Sequence, residues 1–403
     1  MTSVGESHSK LSLRLSAAAA EVFLKACSTL DRADWEPDSR LLASIVPQDK
    51  EVIARLAGRQ GVRGLIARNL SWAKAHGWTP SATGDELEAF RGQRLVLQLR
   101  RRRDVVELAQ ALSAANIDFI MLKGFVLAEE VYGDLSARVF GDCDILVRPE
   151  AIERAVSVLA ALGYRSRSDQ PIVALMQAGE HAVSMDAPDK IPVDLHWCLA
   201  DLVPMERNAL VWEDSEPAGP GALGGRRLSP EMTVLHLAAH FAHHDFQELK
   251  PLIDFYVTAD RLAGRIQAPR VRELAATLGL DAALDLTISM CTRYFRPRAT
   301  VARLAPDRSS LRLRAALAML GRHALLPLDR KPLDRWRDAA RRRLITHSPA
   351  EFLAWLLPWL LPTPGMLAQR FAQPYRLRLY PRYYVVQIYR VVTRSRRLFI
   401  DLR

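Results

Sequence analysis

The sequence is poor in cysteine, and its four cysteines lie far apart: Cys27, Cys143, Cys198 and Cys291. Because no C-x-x-C pair occurs, the pattern argues against a disulfide framework and against a cysteine-based zinc site, and it favours a reducing cytoplasm. The first residues, MTSVGESHSK, are polar, and LSAAAAEVFL is too weakly apolar for the core of a signal peptide. We therefore expect a cytoplasmic protein.

Long apolar runs and the Walker A phosphate-binding signature are also missing. The most apolar stretch, EFLAWLLPWLLPTPGML (351–367), is broken by prolines, so its runs are far shorter than the ~20 residues of a membrane-spanning helix. No Walker A pattern occurs, and the glycine-rich stretch PAGPGALGGRR (217–227) has no strand-to-helix context. This argues against P-loop and Rossmann folds and predicts a flexible linker or an exposed hairpin at 217–227.

The positive charge is confined to one end of the chain. The formal net charge is +11, and residues 331–403 hold 15 Lys and Arg residues against 4 Asp and Glu residues, a difference of +11. The remainder is therefore balanced, so the basic character belongs to the tail. Composition is otherwise ordinary for a globular protein, with 49% hydrophobic and 25% charged residues, and 403 residues leave room for two or three domains.

Residues 117–147, IDFIMLKGFVLAEEVYGDLSARVFGDCDILV, carry the pattern most indicative of chemistry. They predict a strand that stops at Gly124, a helix that ends at Gly133, and a second strand, FGDCDILV. Because side chains alternate along a strand, Asp142 and Asp144 should project from one face and Cys143 from the other. Two carboxylates this close repel each other unless a cation such as Mg²⁺ lies between them.

A third acid follows in a predicted hairpin. AVSMD (182–186) and IPVDLHW (191–197) read as two strands joined by a short turn. Asp194 lies within the second strand, with His196 on the same face. A carboxylate in an apolar strand is costly to bury without a charge partner, and a metal shared with the first two acids would provide one.

At these positions the sequence resembles the bacterial uncharacterised nucleotidyltransferases, a branch of the DNA polymerase β-like superfamily. The matching elements are Leu122-Lys123-Gly124, Tyr132, Arg138, Gly141-Asp142 with Asp144, Gly163-Tyr164, and Val193 to Trp197. The resemblance implies an α+β fold, in which a small mixed sheet lies between helical regions and the chain is predominantly helical.

The resemblance also implies roles for individual residues. Asp142 and Asp144 would be ligands of the catalytic divalent ions, and Asp194 would be the third acid, as a metal ligand or as activator of the acceptor hydroxyl. Gly124 would let the backbone approach the nucleotide phosphates. The superfamily usually has Gly-Ser or Gly-Gly at this turn, whereas here Lys123 precedes a lone glycine; a lysine can bind phosphate as a point charge instead.

Several further side chains are candidates for substrate contacts. Arg138 could neutralise the triphosphate or hold an acid in place, and His196 is expected at the nucleotide because it shares a face with the third acid. His181, His236 and His240 are candidate substrate contacts, with a structural role as the alternative for His181. The histidine stripe 236, 240, 243 and 244 could bind zinc, but no H-E-x-x-H is present. Asp254 could meet these histidines or pair structurally.

The implied activity is transfer of a nucleoside monophosphate to a hydroxyl acceptor with release of pyrophosphate. Mg²⁺ or Mn²⁺ would be required, and ATP is the default donor. The missing serine beside Gly124 motivates an alternative: a catalytically silent nucleotide-binding or scaffold protein, peripheral to the membrane in surface-polymer or peptide-product biosynthesis.

The predicted domain organisation has four parts: a helical region 1–116, the nucleotidyltransferase core 117–200, a helical region 201–345, and 346–403 with the proline-broken apolar segment and the basic tail. The tail, 351–403, is interpreted first as a helical cap on the core. The next interpretation is contact with an anionic membrane surface, and the least favoured is nucleic-acid binding.

Local signals predict several helix ends. Asp85 with Glu88 suggests a capping box at the start of the third long helix, and Asn116 suggests its end. Ser229 followed by Pro230 predicts a helix start. The run 100–103 consists of four arginines and is interpreted as a solvated helix face, with binding of nucleic acid or an anionic substrate as the alternative.

Overall fold

A seven-stranded mixed sheet forms the α/β part of the protein. Its strands are β1 Phe119–Met121, β2 Cys143–Val147, β3 Arg165–Ser166, β4 Ala182–Asp186, β5 Val193–His196, β6 Glu216–Pro217 and β7 Arg226–Arg227. Their order in the sheet is β3-β4-β5-β2-β1-β7-β6, with parallel pairs β2–β5 and β1–β7 and antiparallel pairs elsewhere. The small mixed sheet expected from the resemblance is thus confirmed.

The two inner strands β2 and β5 set the geometry of the acids. All five residues of β2 are buried, which is typical of a strand covered on both faces. A parallel pair needs a crossover connection, and the chain between β2 and β5 provides it with helix α6, Ile152–Ala161. In the resulting register Asp144 lies directly beside Asp194.

Strands at the two ends of the glycine-rich stretch extend the sheet, so of the two interpretations of residues 217–227 the hairpin is confirmed and the flexible linker is not. Strands β6 and β7 pair as a hairpin, and β7 also pairs with β1, Arg226 opposite Ile120. Gly225 has a φ of +72°, and a Cβ added there would lie 2.6 Å from the carbonyl oxygen of Phe119. Only glycine permits this close approach of the two backbones.

Helices precede the sheet, as predicted. They are α1 Ala17–Ser28, α2 Pro47–Arg59, α3 Arg63–Ala73 and α4 Ala82–Ala114. Because α4 begins at Ala82, Asp85 and Glu88 lie inside it, and the predicted capping box is wrong. The helix ends near the predicted position, and Asn116 beyond it has a φ of +51°, a left-handed conformation that asparagine tolerates.

The helix predicted after Gly124 is irregular. A short helix, α5 Lys123–Val126, continues into a π-helical turn, Leu127–Val131. Gly124 itself has φ +47° and ψ −103°, which lies outside helical space. Single π-helical turns of this kind frequently occur at functional sites.

Helices also follow the hairpin of β4 and β5. Ser229 caps the helix Pro230–His243 (α9), and its Oγ accepts a hydrogen bond of 3.0 Å from the backbone N–H of Met232. Pro230 is the first helical residue, as predicted. The remaining helices are α7 Ile172–Gln177, α8 Asn208–Glu213, α9 Pro230–His243, α10 Leu249–Arg261, α11 Ala268–Leu278, α12 Asp281–Tyr294, α13 Ala299–Arg303 and α14 Leu311–Ala318.

This computed structural model describes residues 16–31, 44–73, 82–177, 180–218, 223–246, 248–296, 298–306 and 311–318. Contacts divide the chain into two compact units, Met1–Asp329 and Arg330–Arg403, and every described residue belongs to the first. The predictions for the tail, 351–403, therefore fall outside the described residues. Within the described part, no helix is both long and apolar enough to cross a membrane.

Candidate active site

One cavity of about 450 Å³ collects the side chains that the sequence singles out. It opens between the sheet and helices α9 and α10. All ten predicted site residues line it: Lys123, Gly124, Arg138, Asp142, Asp144, His181, Asp194, His196, His236 and His240. Their individual roles remain predictions, but tertiary structure brings all of them together.

Three carboxylates meet at one wall of this cavity. Asp144 in β2 and Asp194 in β5 are register partners, and Asp142 lies immediately before β2. The strand predicted over FGDCDILV thus begins at Cys143 in the structure, one residue after Asp142. Cys143 projects away from the acids, with its Sγ 3.9 Å from the Sδ of Met121. The alternation predicted from the sequence agrees with this arrangement.

Helix α4 holds the backbone that leads into Asp142. Gln98 is fully buried, its Nε2 donates to the carbonyl of Phe140 (3.2 Å), and its Oε1 accepts from the Phe140 N–H (3.1 Å). Arg101 also donates to that carbonyl. The other three arginines of the run 100–103 are exposed, as the solvated-face interpretation predicts.

Asp142 carries a charge that its surroundings do not balance. Burial raises the pKa of Asp142, and the nearby charges of Asp144 and Asp194 raise it further, whereas Lys123 and Lys250 act in the opposite direction. A cluster with excess negative charge of this kind favours a bound cation.

Asp144 is the best-anchored acid. The residue as a whole is 5% exposed, and its Oδ1 lies 3.0 Å from Lys123 Nζ and 3.2 Å from His196 Nε2. Although burial alone would raise it, the pKa of Asp144 is held well below its usual range, first by Lys123 and then by His196. Its Oδ2 is buried and has no hydrogen-bond partner among the described residues.

Asp194 has a neighbour that sequence reasoning missed. Ser184 in β4 is its register partner, and the Ser184 hydroxyl donates a 2.5 Å hydrogen bond to Asp194 Oδ1. This contact fixes the orientation of the carboxylate toward the cavity wall. No sequence signal marks a lone serine in a strand as a partner of an acid ten residues away.

The contacts of Arg138 favour a positioning role over binding of triphosphate. Arg138 is 5% exposed; its Nε and one terminal nitrogen donate to the Asp254 carboxylate (3.0 and 2.7 Å), and the other terminal nitrogen donates to the carbonyl of Gly124 (3.2 Å). The Tyr132 hydroxyl also donates to Asp254, at 2.8 Å. Asp254 thus anchors the arginine, and the arginine anchors the turn at Gly124.

Histidines form a further part of the cavity wall. Burial, together with nearby positive groups, lowers the pKa of His181 to about 4 and that of His236 to about 3. Burial and then Lys123 lower the pKa of His240 well below its ordinary value. These imidazoles are therefore neutral near pH 7, so they are able to donate and accept hydrogen bonds but do not act as counterions for phosphate.

Two acids at the outer part of this wall hold further histidines. His243 Nδ1 lies 3.0 Å from Asp201 Oδ2, and His244 Nδ1 lies 3.1 Å from Glu248 Oε1. The His240 and His244 rings meet edge to face, with centroids 4.6 Å apart. The histidines of the stripe thus contact one another and neighbouring carboxylates, which favours a structural role for them.

Lys250 is the second cation near the acids, and sequence reasoning missed it. It belongs to α10, lines the cavity, and donates a 2.9 Å hydrogen bond to the carbonyl of Val139. Burial, with the neighbouring Arg138, lowers the pKa of Lys250 to about 8. Only the packing of α10 against the loop before β2 reveals it, because more than a hundred residues separate them.

The donor set fits a divalent cation of the Mg²⁺ class. Among the described residues, no group of three His, Cys, Asp or Glu side chains is arranged to hold a metal ion without rearrangement. This is true of the three acids and of the histidine stripe. Yet Asp144 Oδ2 is buried without a hydrogen-bond partner, and a Cβ added to Gly124 would lie 3.9 Å from it. Carboxylate oxygens are the ligands that Mg²⁺ and Mn²⁺ prefer.

Comparison with known proteins gives one family match. The family described as "Uncharacterised nucleotidyltransferase" matches residues 47–296, which include every residue discussed above at the cavity. No curated protein matches the chain. A solved structure of the antibiotic-resistance factor ANT(2'')-Ia is similar over 44% of this chain and 91% of that chain, with 14% sequence identity and a TM-score of 0.32.

Proposed function

Because the chain belongs to the family of uncharacterised nucleotidyltransferases, we propose that it transfers a nucleoside monophosphate to a hydroxyl group and releases pyrophosphate. The donor is a nucleoside triphosphate, by default ATP. The observation that carries the proposal is the meeting of three carboxylates, Asp142, Asp144 and Asp194, on the cavity wall that also presents Lys123 and Lys250.

Mg²⁺ or Mn²⁺ belongs at this wall. Asp142 and Asp144 would hold it, and Asp194 would either share it or act on the acceptor. When bound, a divalent ion neutralises phosphate charge and polarises the phosphoryl group. The unpartnered Asp144 Oδ2 and the excess negative charge around Asp142 support this assignment.

The chain's own residues would then orient the two reactants. The bond that forms joins the acceptor oxygen to the α-phosphorus, and the bond that breaks joins that phosphorus to the leaving pyrophosphate. Asp194, oriented by Ser184, is placed to accept the acceptor's proton. Lys123 and Lys250 would offset the charge of the phosphates, since an ammonium binds phosphate as a point charge.

The histidine wall suits a polar acceptor. Neutral imidazoles at His181 and His240 can each accept and donate one hydrogen bond, which matches a hydroxyl group. Asp201 and Glu248 add carboxylate oxygens beyond them. These groups support an acceptor rich in hydroxyl groups, and they leave sugars, other small molecules and larger acceptors open.

The test is label transfer from each of the four α-³²P nucleoside triphosphates, with Mg²⁺ or Mn²⁺ and bacterial lysate as the source of acceptors. We expect transfer from one donor, and we expect EDTA to abolish it. If no label moves, equilibrium binding of each nucleotide with and without metal follows. Metal-dependent binding without transfer from any acceptor source would favour the silent nucleotide-binding protein, and the absence of both would overturn the proposal.

Lys250 gives a prediction about pH. The Lys250→Met protein is expected to show a KM for the nucleotide about tenfold higher, because one positive charge near the phosphates is lost. In wild type, kcat/KM for the nucleotide should fall as pH rises through about 8, where Lys250 loses its proton. Lys250→Arg should move this fall to higher pH, because arginine stays charged. An unchanged profile in both variants would remove Lys250 from the nucleotide site.

A further inference from the structure

Lys123 stands where the metal would act. Its ammonium lies 3.0 Å from Asp144 Oδ1, on the carboxylate assigned above to the divalent ion. The other contact of that oxygen is the ring nitrogen Nε2 of His196, at 3.2 Å. In the described structure the charge of Asp144 is therefore balanced by a side chain of the protein itself.

The same side chain has room to leave. Lys123 lines the main cavity, and it also lines a second cavity of about 160 Å³, bounded by Met121, Arg227 and Thr233 among others. Its side chain is 15% exposed, whereas that of Asp144 is 2% exposed. A lysine head group on a flexible four-carbon stem can move while the buried carboxylate stays in place.

A divalent ion and this ammonium cannot share Asp144 without repulsion. At such short distances two cations repel strongly even at the effective dielectric of a partly exposed site. The nucleotide brings phosphate oxygens into the cavity together with the metal, and lysine is a suitable ligand for them. An exchange of partners removes the repulsion and satisfies both charges.

We propose that Lys123 is an internal counterion that occupies Asp144 in the metal-free protein, is displaced by the divalent ion, and then binds the nucleotide phosphates. This rests on the proposed function for the identity of the metal site. It gives the lysine of the Leu122-Lys123-Gly124 turn a role in the metal-free protein, which is to neutralise the buried acid until the metal arrives. Lys123 is then both a competitor of the metal and a partner of the nucleotide.

The test uses Mn²⁺ alone, with the full chain and without nucleotide or acceptor. Electron paramagnetic resonance counts free Mn²⁺ and gives the affinity of the metal-free protein. Lys123→Met removes the competitor, so Mn²⁺ should bind about tenfold more tightly than in wild type. Lys123→Arg keeps the charge and adds bidentate pairing with the carboxylate, so Mn²⁺ should bind more weakly than in wild type. Once metal is present, Lys123→Met should bind the nucleotide more weakly than wild type, because the positive charge that binds the phosphates is lost.

The matched control is Lys250→Met. This lysine also lies near the acids, but its hydrogen bond is to the Val139 carbonyl and not to Asp144. A general loss of positive charge would tighten Mn²⁺ binding equally in both Met variants, and that result would overturn the exchange. So would unchanged or weaker Mn²⁺ binding in Lys123→Met, which would mean that the lysine supports the metal-bound carboxylate.

A wild-type measurement covers the case in which a variant fails to fold. Acetylation by acetic anhydride, followed by mass spectrometry, reports the exposure of each lysine. Lys123 should become several-fold more reactive when Mn²⁺ is added, while Lys190, whose side chain is 24% exposed and pairs with Glu107, serves as reference. Unchanged reactivity, or no Mn²⁺ binding at all, would overturn the inference. None of these measurements involves nucleotidyl transfer. If Mn²⁺ displaces Lys123 but the protein transfers no nucleotide, the proposed function is contradicted and the counterion inference is not.

Discussion

Asp144→Asn is expected to lower the rate of nucleotidyl transfer by about 10³-fold or more. The substitution keeps the shape of the side chain but removes the charge that a divalent ion requires. The amide would also face Lys123 and His196, whose contacts with Oδ1 are made to a carboxylate. The measurement is label transfer at saturating metal and nucleotide, together with Mn²⁺ affinity, which should also fall.

The double variant Asp142→Asn/Asp144→Asn should be no more active than Asp144→Asn, because residues that act as one unit do not contribute additively. Asp186→Asn is the matched control. It lies in the same sheet, in β4, but it is exposed and pairs with Arg167 away from the cavity. Transfer by Asp144→Asn at a rate near that of the control would contradict the assignment of the acids, whatever the donor.

Asp254→Asn is expected to destabilise the protein by about 3 kcal/mol or more, because it leaves a buried guanidinium without its carboxylate. Arg138 and Asp254 are 5% and 1% exposed, and two hydrogen bonds of 3.0 and 2.7 Å join them. Urea unfolding of the full chain, followed by circular dichroism, gives the change in the free energy of unfolding. The Gly124 turn should also loosen, since Arg138 donates to its carbonyl.

The exposed pair provides the comparison for this prediction. Arg167 and Asp186 also form two hydrogen bonds, of 2.5 and 2.6 Å, but about half of each side chain is exposed. Solvent screens exposed pairs and holding two long side chains together costs entropy, so Asp186→Asn should change the free energy of unfolding little. Tyr132→Phe removes a single hydrogen bond to Asp254 and should cost about 1 kcal/mol. Equal effects of the Asp186 and Asp254 substitutions would contradict a structural role for the buried pair.

The acids could be predicted because their signal is local. The alternation predicted for the stretch 140–147 places Asp142 and Asp144 on one face, and an acid between Val193 and Leu195 in an apolar strand demands a charged partner. The helix start at Ser229 and Pro230 is equally local, since the cap and the first turn lie within four residues. Such features depend on neighbours in the sequence, and the structure reproduces them.

Tertiary effects compete with local signals at three places. Asp85 and Glu88 match a capping box, yet α4 begins three residues before Asp85, so that prediction is wrong. The glycines at 217–227 are compatible with a linker or a hairpin, and the pairing of β7 with β6 and β1 decides for the hairpin. The helix predicted after Gly124 is present but irregular, because the backbone leaves helical space at Gly124 and then forms a π-helical turn.

The sequence by itself determined the sheet class, the three acids and the turn at Gly124, because strand alternation and glycine's access to positive φ depend on short stretches of chain. Only the tertiary structure decided the partners of those residues. Lys250 lies 108 positions from Asp142, and Asp254 lies 116 positions from Arg138, so no local pattern could pair them. Charges act through space, and the packing of α10 against the loop before β2 sets which charges meet.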